Sequence, residues 1–168
     1  MEVRVVATNS LVPAPRPSAP VRLRLAPGLV DATQAALCAG SAARREAIVL
    51  WAGRADVAGA AVISHLILPR FVSRRDYLTI SQAERLEVAA YLRSEQLLAF
   101  ADLHTHPGVA FLSEADIANP FSVRDGFYAA VVPDFALREA GHGWRFYEVR
   151  ARKWMEVNPR ERIHGWAF

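Results

Sequence analysis

The residues best able to do chemistry are His104 and His106, separated by one threonine, and the segment Ser113-Glu114-Ala115-Asp116 that follows them. In a β-strand, side chains two apart project from one face, so His104 and His106 present two imidazoles side by side. Pro107 and Gly108 stop the strand and turn the chain, which lets Asp116 return as a third ligand. Ser113 stands where an N-cap belongs, and Asp116 is the third residue after it, so the cap sets the direction of this carboxylate. Two imidazoles and one carboxylate are donors that catalytic zinc takes while keeping a fourth position for water; structural zinc fills all four with protein groups. Such an ion lowers the pKa of its water from about 15.7 toward about 7. A base must still take and return the proton. Glu46 is the candidate, because it begins an apolar run in which a carboxylate needs a partner to offset its desolvation. The Ser113 hydroxyl could donate to the oxyanion formed when water attacks a carbonyl.

Each of these residues also has a plainer reading. A lone histidine in a strand is ordinarily packed or hydrogen-bonded, and His65, His142 and His164 are read that way. Ser113 with Asp116 would be an ordinary helix cap if the two histidines were absent. Glu46 follows Arg44 and Arg45 and could be a solvated residue paired with them. Asp102 shares a strand face with the histidines and either orients one imidazole or is a polar residue at a strand edge. Cys38 reads as a small core residue.

The elements that must position these groups follow from local patterns. Val21-Arg22-Leu23-Arg24-Leu25 alternates as a half-exposed strand does. Leu29 to Ala39 is alanine-rich, has Asp31 near its start and stops at Gly40, which predicts a short helix. Glu46 to Trp51 predicts a buried strand ended by Gly53, and Val57 to Leu68 a longer strand paired with it. Ser81 and Glu84 form the reciprocal capping pattern, opening a helix through Arg93. Strands are predicted over Leu97 to His106, Phe127 to Val132 and Trp144 to Val149, with Lys153 to Val157 at the edge of the last. Strands and helices interleave without a regular repeat, so the expected fold class is α/β, a mixed sheet sandwiched by helices.

The 168 residues suit one compact domain over residues 21–168, preceded by an arm, Met1 to Pro20, that contains Pro13, Pro15, Pro17 and Pro20. The formal net charge is only +3, and Lys153 is the only lysine, so arginine supplies nearly all the positive charge. That hints at an acidic partner but fits an arginine-rich, GC-biased genome as well, which is the preferred reading, and the charge is too small to argue for nucleic acid. The single cysteine excludes an internal disulfide and a thiolate zinc cage. No apolar stretch has membrane-spanning length and no signal segment opens the chain, so a cytoplasmic location is expected.

At these residues the sequence resembles the JAMM family, the zinc metalloproteases of the JAB/MPN domain. Their signature is a glutamate in an early strand, a His-Ser/Thr-His-Pro segment and a Ser-x-x-Asp. Glu46 with Gly53 seven residues later, His104-Thr105-His106-Pro107 and Ser113-Glu114-Ala115-Asp116 match it in order. The loop between His106 and Ser113 is shorter than in the eukaryotic deubiquitinating members. The resemblance implies a JAB/MPN-like fold over roughly Val21 to Val149 and zinc as cofactor. It also implies hydrolysis of an amide or isopeptide bond after the C-terminal tail of a ubiquitin-like protein, as a deconjugase or as a processing peptidase for a sulfur-carrier precursor. Conjugation-pathway proteins would then be partners. A non-catalytic scaffold of the same fold would be expected to lose ligands, and this chain keeps them. Relatives tied to DNA repair carry asparagine between the histidines, where this chain has Thr105.

Overall fold

A computed structural model describes residues 22–56, 60–73, 75, 77–166 and 168. The Pro-rich arm and the start of the strand expected from Val57 lie outside those residues. The chain runs β1 (Leu23–Leu25), α1 (Leu29–Gly40), β2 (Ile48–Ala55), β3 (Ala61–Ile67), β4 (Val72–Ser73), β5 (Leu78–Thr79), α2 (Gln82–Ser94), β6 (Leu98–Thr105), α3 (Glu114–Ala118), β7 (Tyr128–Val132), β8 (Arg145–Arg150), β9 (Lys153–Val157), α4 (Pro159–Arg162) and β10 (Ile163–His164). Eight strands form one mixed sheet in the order β10-β1-β3-β2-β6-β7-β8-β9, and β4 pairs with β5 in a separate hairpin. The β1/β3, β1/β10 and β6/β7 pairs are parallel and the other pairs antiparallel.

Alternation along the central strands divides the core into two layers, one on each face of the sheet. Val49 and Trp51 of β2 pack with Leu29, Val30 and Leu37 of α1 on one face. Leu50 and Ala52 meet Val88 and Leu92 of α2 on the other. The expected arrangement, a mixed sheet with helices on both faces, is therefore the one observed. Helix α1 is locked to the sheet by polar contacts too. The Trp51 indole donates to Thr33 Oγ1 at 2.8 Å, and that hydroxyl donates to the Leu29 carbonyl at 2.7 Å.

Two local expectations are corrected. Gly53 does not end β2, which continues to Ala55. The pairing of β2 slips by one residue on either side of Ala52, against β6 and then against β3. Gly53 crosses β3 so closely that a Cβ there would lie 1.9 Å from the Val62 carbonyl oxygen. The glycine serves strand contact and is not a stop. At α2, Ser81 does accept from the Glu84 amide, but the Glu84 carboxylate does not return to the cap. It accepts from the Arg70 backbone N–H at 2.8 Å and from Arg70 Nε at 2.7 Å, because a cation fixed by the preceding loop is the stronger partner.

Among the described residues no helix is long and apolar enough to cross a membrane.

Because a backbone atom blocks the space beside Gly53, Gly53→Ala should destabilise the fold by about 3 kcal/mol, measured as a lowered urea midpoint with an unchanged slope.

Candidate metal centre

β6 lies inside the sheet between β2 and β7 and carries the site at its C-terminal end. Asp102 and His104 alternate onto one face of the sheet, and Ala101, Leu103 and Thr105 face the α1 side. His106 lies just past the strand and is held by backbone bonds: its N–H donates to the Val132 carbonyl, and its carbonyl accepts from Phe135 N–H, both at 2.9 Å. Gly108 O accepts from Asp134 N–H at 3.0 Å. Asp134, Phe135 and Ala136 form a single turn with φ of 52°, 56° and 59°, left-handed backbone that ordinary residues rarely adopt. The loop leaving β6 is thus fastened to a strained platform at the end of β7.

Asp116 returns as expected, in the first turn of α3. Its Oδ2 accepts from Ser113 N–H at 2.8 Å and from Ser113 Oγ–H at 2.7 Å, while its own N–H donates to Ser113 Oγ at 3.2 Å. This closed capping box points the carboxylate between the rings: Oδ1 is 3.4 Å from His104 Nε2 and Oδ2 is 3.4 Å from His106 Nε2. One nitrogen or oxygen from each of His104, His106 and Asp116 lies within 4.8 Å of the others.

These dimensions suit a small divalent ion. Donors about 2.0–2.1 Å from zinc in a tetrahedron stand about 3.3 Å apart. His104 Nε2 is buried and has no hydrogen-bond partner, so an ion is the group its lone pair fits. Asp102 sets that lone pair: its Oδ1 faces His104 Nδ1 at 3.6 Å, which favours the proton on Nδ1. Asp102 is buried within β6, so its reading as a polar strand-edge residue is corrected. Without an ion, burial pulls the His104 pKa down, but Asp102 and Asp116 outweigh it and raise the pKa to about 10. Burial raises the Asp116 pKa, and the two imidazoles with Ser113 outweigh that and hold it well below the usual carboxylate range.

Glu46 is 4% exposed and precedes β2, with its Oε1 3.9 Å from His106 Nε2. Its position is set by a residue the sequence reading passed over. Thr105 Oγ1 accepts from Ala47 N–H at 2.9 Å and is bonded to Ser41 Oγ at 2.9 Å, and Thr105 N–H donates to the Ala47 carbonyl at 2.9 Å. The residue between the two ligands therefore turns away from the site and clamps the Glu46 segment. Its signal in the sequence was only its type, a small β-branched hydroxyl inside a strand.

Glu46, His104, His106, Ser113 and Asp116 all line one cavity of about 350 Å³. Arg85 braces its wall, donating to the carbonyls of Asn119, Pro120 and Phe121 at 3.3, 3.0 and 3.3 Å. The Phe111 ring packs edge-on to His106 at 5.1 Å. His65 is buried with Nδ1 2.8 Å from Ser64 Oγ, as read, whereas His142 and His164 are exposed.

With this geometry in hand, the chain can be set beside known structures. A protein of Desulfitobacterium hafniense, whose structure was determined in solution, matches with a TM-score of 0.64 at 14% identity, covering 84% of this chain and 90% of that one. The two share a fold. A JAB1/MPN domain protein from Archaeoglobus fulgidus matches with a TM-score of 0.48 at 22% identity, over 84% of this chain and 96% of that one. No protein-family model matches the sequence.

His104→Ala and Asp116→Ala should each abolish metal retention, and Asp102→Asn should weaken it about tenfold, all read by metal analysis after dialysis. Thr105→Val leaves the buried Ala47 N–H without that partner. It should cost about 1–3 kcal/mol in chemical unfolding while metal stoichiometry is kept.

Proposed function

We propose that this chain is a zinc-dependent peptidase that hydrolyses the amide or isopeptide bond following the C-terminal tail of a ubiquitin-like protein, in deconjugation or precursor processing. The observation that carries this reading is the buried carboxylate of Glu46 in one cavity with the His104, His106 and Asp116 donors. A site built only to hold an ion has no use for a further acidic side chain 3.9 Å from a ligand.

His104, His106 and Asp116 would hold the zinc, which when bound supplies Lewis acidity to polarise the scissile carbonyl. Glu46 is the general base: its carboxylate takes a proton from the attacking water and returns it to the leaving amine. Ser113 serves the developing oxyanion. In the structure its single hydroxyl hydrogen is given to Asp116, so this role requires the hydroxyl to rotate once the carboxylate is engaged elsewhere. Asp102 keeps the His104 proton on Nδ1. A cavity of this size takes a few residues of extended chain and excludes a folded domain, which suits a flexible tail. That the tail is that of a ubiquitin-like protein, and that conjugation-pathway proteins take part, rests on the resemblance in the motif residues.

Glu46→Gln should lower cleavage of a ubiquitin-like fusion by about 10²–10⁴-fold while leaving zinc content unchanged. The assay compares parent and variant on the same fusion, with and without a chelator, beside metal analysis. Cleavage that survives the chelator, or zinc lost from Glu46→Gln as fully as from His104→Ala, would overturn the assignment.

A further inference from the structure

A second cleft lies on the other side of the β4/β5 hairpin. It is an open groove of about 540 Å³ lined by Ala43, Arg44, Arg45, Val72, Ser73 and Arg75. Tyr77, Leu78 and Thr79 of the same hairpin line the metal cavity, so the hairpin is a wall shared by both spaces. On the opposite side the two are joined by sequence: Arg45 is bonded directly to Glu46, the base.

Those arginines are not used by the fold. Arg44, Arg45 and Arg75 are exposed and make no ion pair among the described residues, whereas Arg70, Arg138, Arg145 and Arg150 are paired with carboxylates. Arg44 also has a φ of 53°, backbone in which glycine and asparagine are the favoured residues.

We propose that this cleft docks an acidic segment of the polypeptide on which the enzyme acts. Guanidinium forks match carboxylates bidentately, and three of them around one groove select clustered aspartate and glutamate. Nucleic acid is the poorer fit. Among the described residues lining it the groove has no aromatic side chain for base stacking, and their three cations make a patch and not a backbone track. That the occupant is also a substrate rests on the peptidase reading; that it is acidic does not.

The test uses the zinc-loaded full chain and a fluorescein-labelled oligoglutamate peptide, followed by anisotropy. The comparison probes are an oligolysine peptide and a single-stranded oligonucleotide of similar length. The parent should bind oligoglutamate and not oligolysine, more weakly as salt rises. The triple variant Arg44→Glu, Arg45→Glu, Arg75→Glu should lose about tenfold or more in affinity, with Arg22→Glu, Arg24→Glu unchanged. Equal binding by parent and triple variant, or tighter binding of the oligonucleotide than of oligoglutamate, overturns the proposal. Cleavage of the ubiquitin-like fusion by the zinc-loaded parent and the triple variant, assayed beside the anisotropy, separates the two ideas. Charge-dependent binding without any hydrolysis upholds the cleft and defeats the peptidase, and hydrolysis without such binding does the reverse.

Discussion

Three carboxylates and two imidazoles are gathered at one end of β6, and taking them out of water is the constraint to which the surrounding structure answers. Glu46, Asp102, His104 and His106 are buried, and Asp116 is partly so. With neutral imidazoles the group carries three negative charges, an arrangement that costs several kcal/mol per ion in the absence of compensation. A proton on His104 is one answer, favoured by the neighbouring Asp102 and Asp116 that raise its pKa. A dication is the more complete one, because it meets both ring nitrogens and the carboxylate at once. The local architecture then serves to stop these groups from relaxing apart. The cap at Ser113 fixes Asp116, the hydroxyl of Thr105 fixes the approach of Glu46, and the end of β7 fixes His106.

Where the governing signal is short-range, the sequence already contains the answer. Alanine content and Gly40 delimit α1, Ser81 starts α2, and Lys153 to Val157 form β9 with the bounds read from the pattern. The ligand set is legible for the same reason. Strand spacing pairs the histidines and a three-residue cap aims the aspartate, both within a dozen or so positions. Partners across the sheet are not legible. Thr105 meets Ala47 across 58 positions of sequence, and Glu84 is drawn to Arg70 by a loop whose course no local rule dictates. Gly53 misleads because glycine has two uses in a strand pattern, ending it or admitting close backbone approach, and only the neighbouring strand decides. Asp102 misleads because burial beside a strand end depends on what covers that end.

The far side of the sheet shows the same preference for fixing ends. Glu148 is fully buried among core residues and is bonded to Arg150, with Arg162 of α4 3.8 Å away. Trp166 packs at an angle against Trp144 and edge-on against Phe146, adding to the α1 layer. Burial and the neighbouring Glu148 push the Tyr128 hydroxyl's pKa upward, keeping it neutral in that layer. This layer is the foundation on which β6 and β7 stand.

The left-handed turn at Asp134 to Ala136 gives the centre a mechanical character. Its amides reach His106 and Gly108 only while three consecutive backbone units keep an unfavoured handedness. A return of that corner to ordinary right-handed geometry would swing both donors away and leave His106 held only by its own amide on Val132. The turn therefore behaves as a loaded latch. The tolerance with which one ring is aimed is decided by the chirality of a neighbouring corner that carries none of the reacting groups.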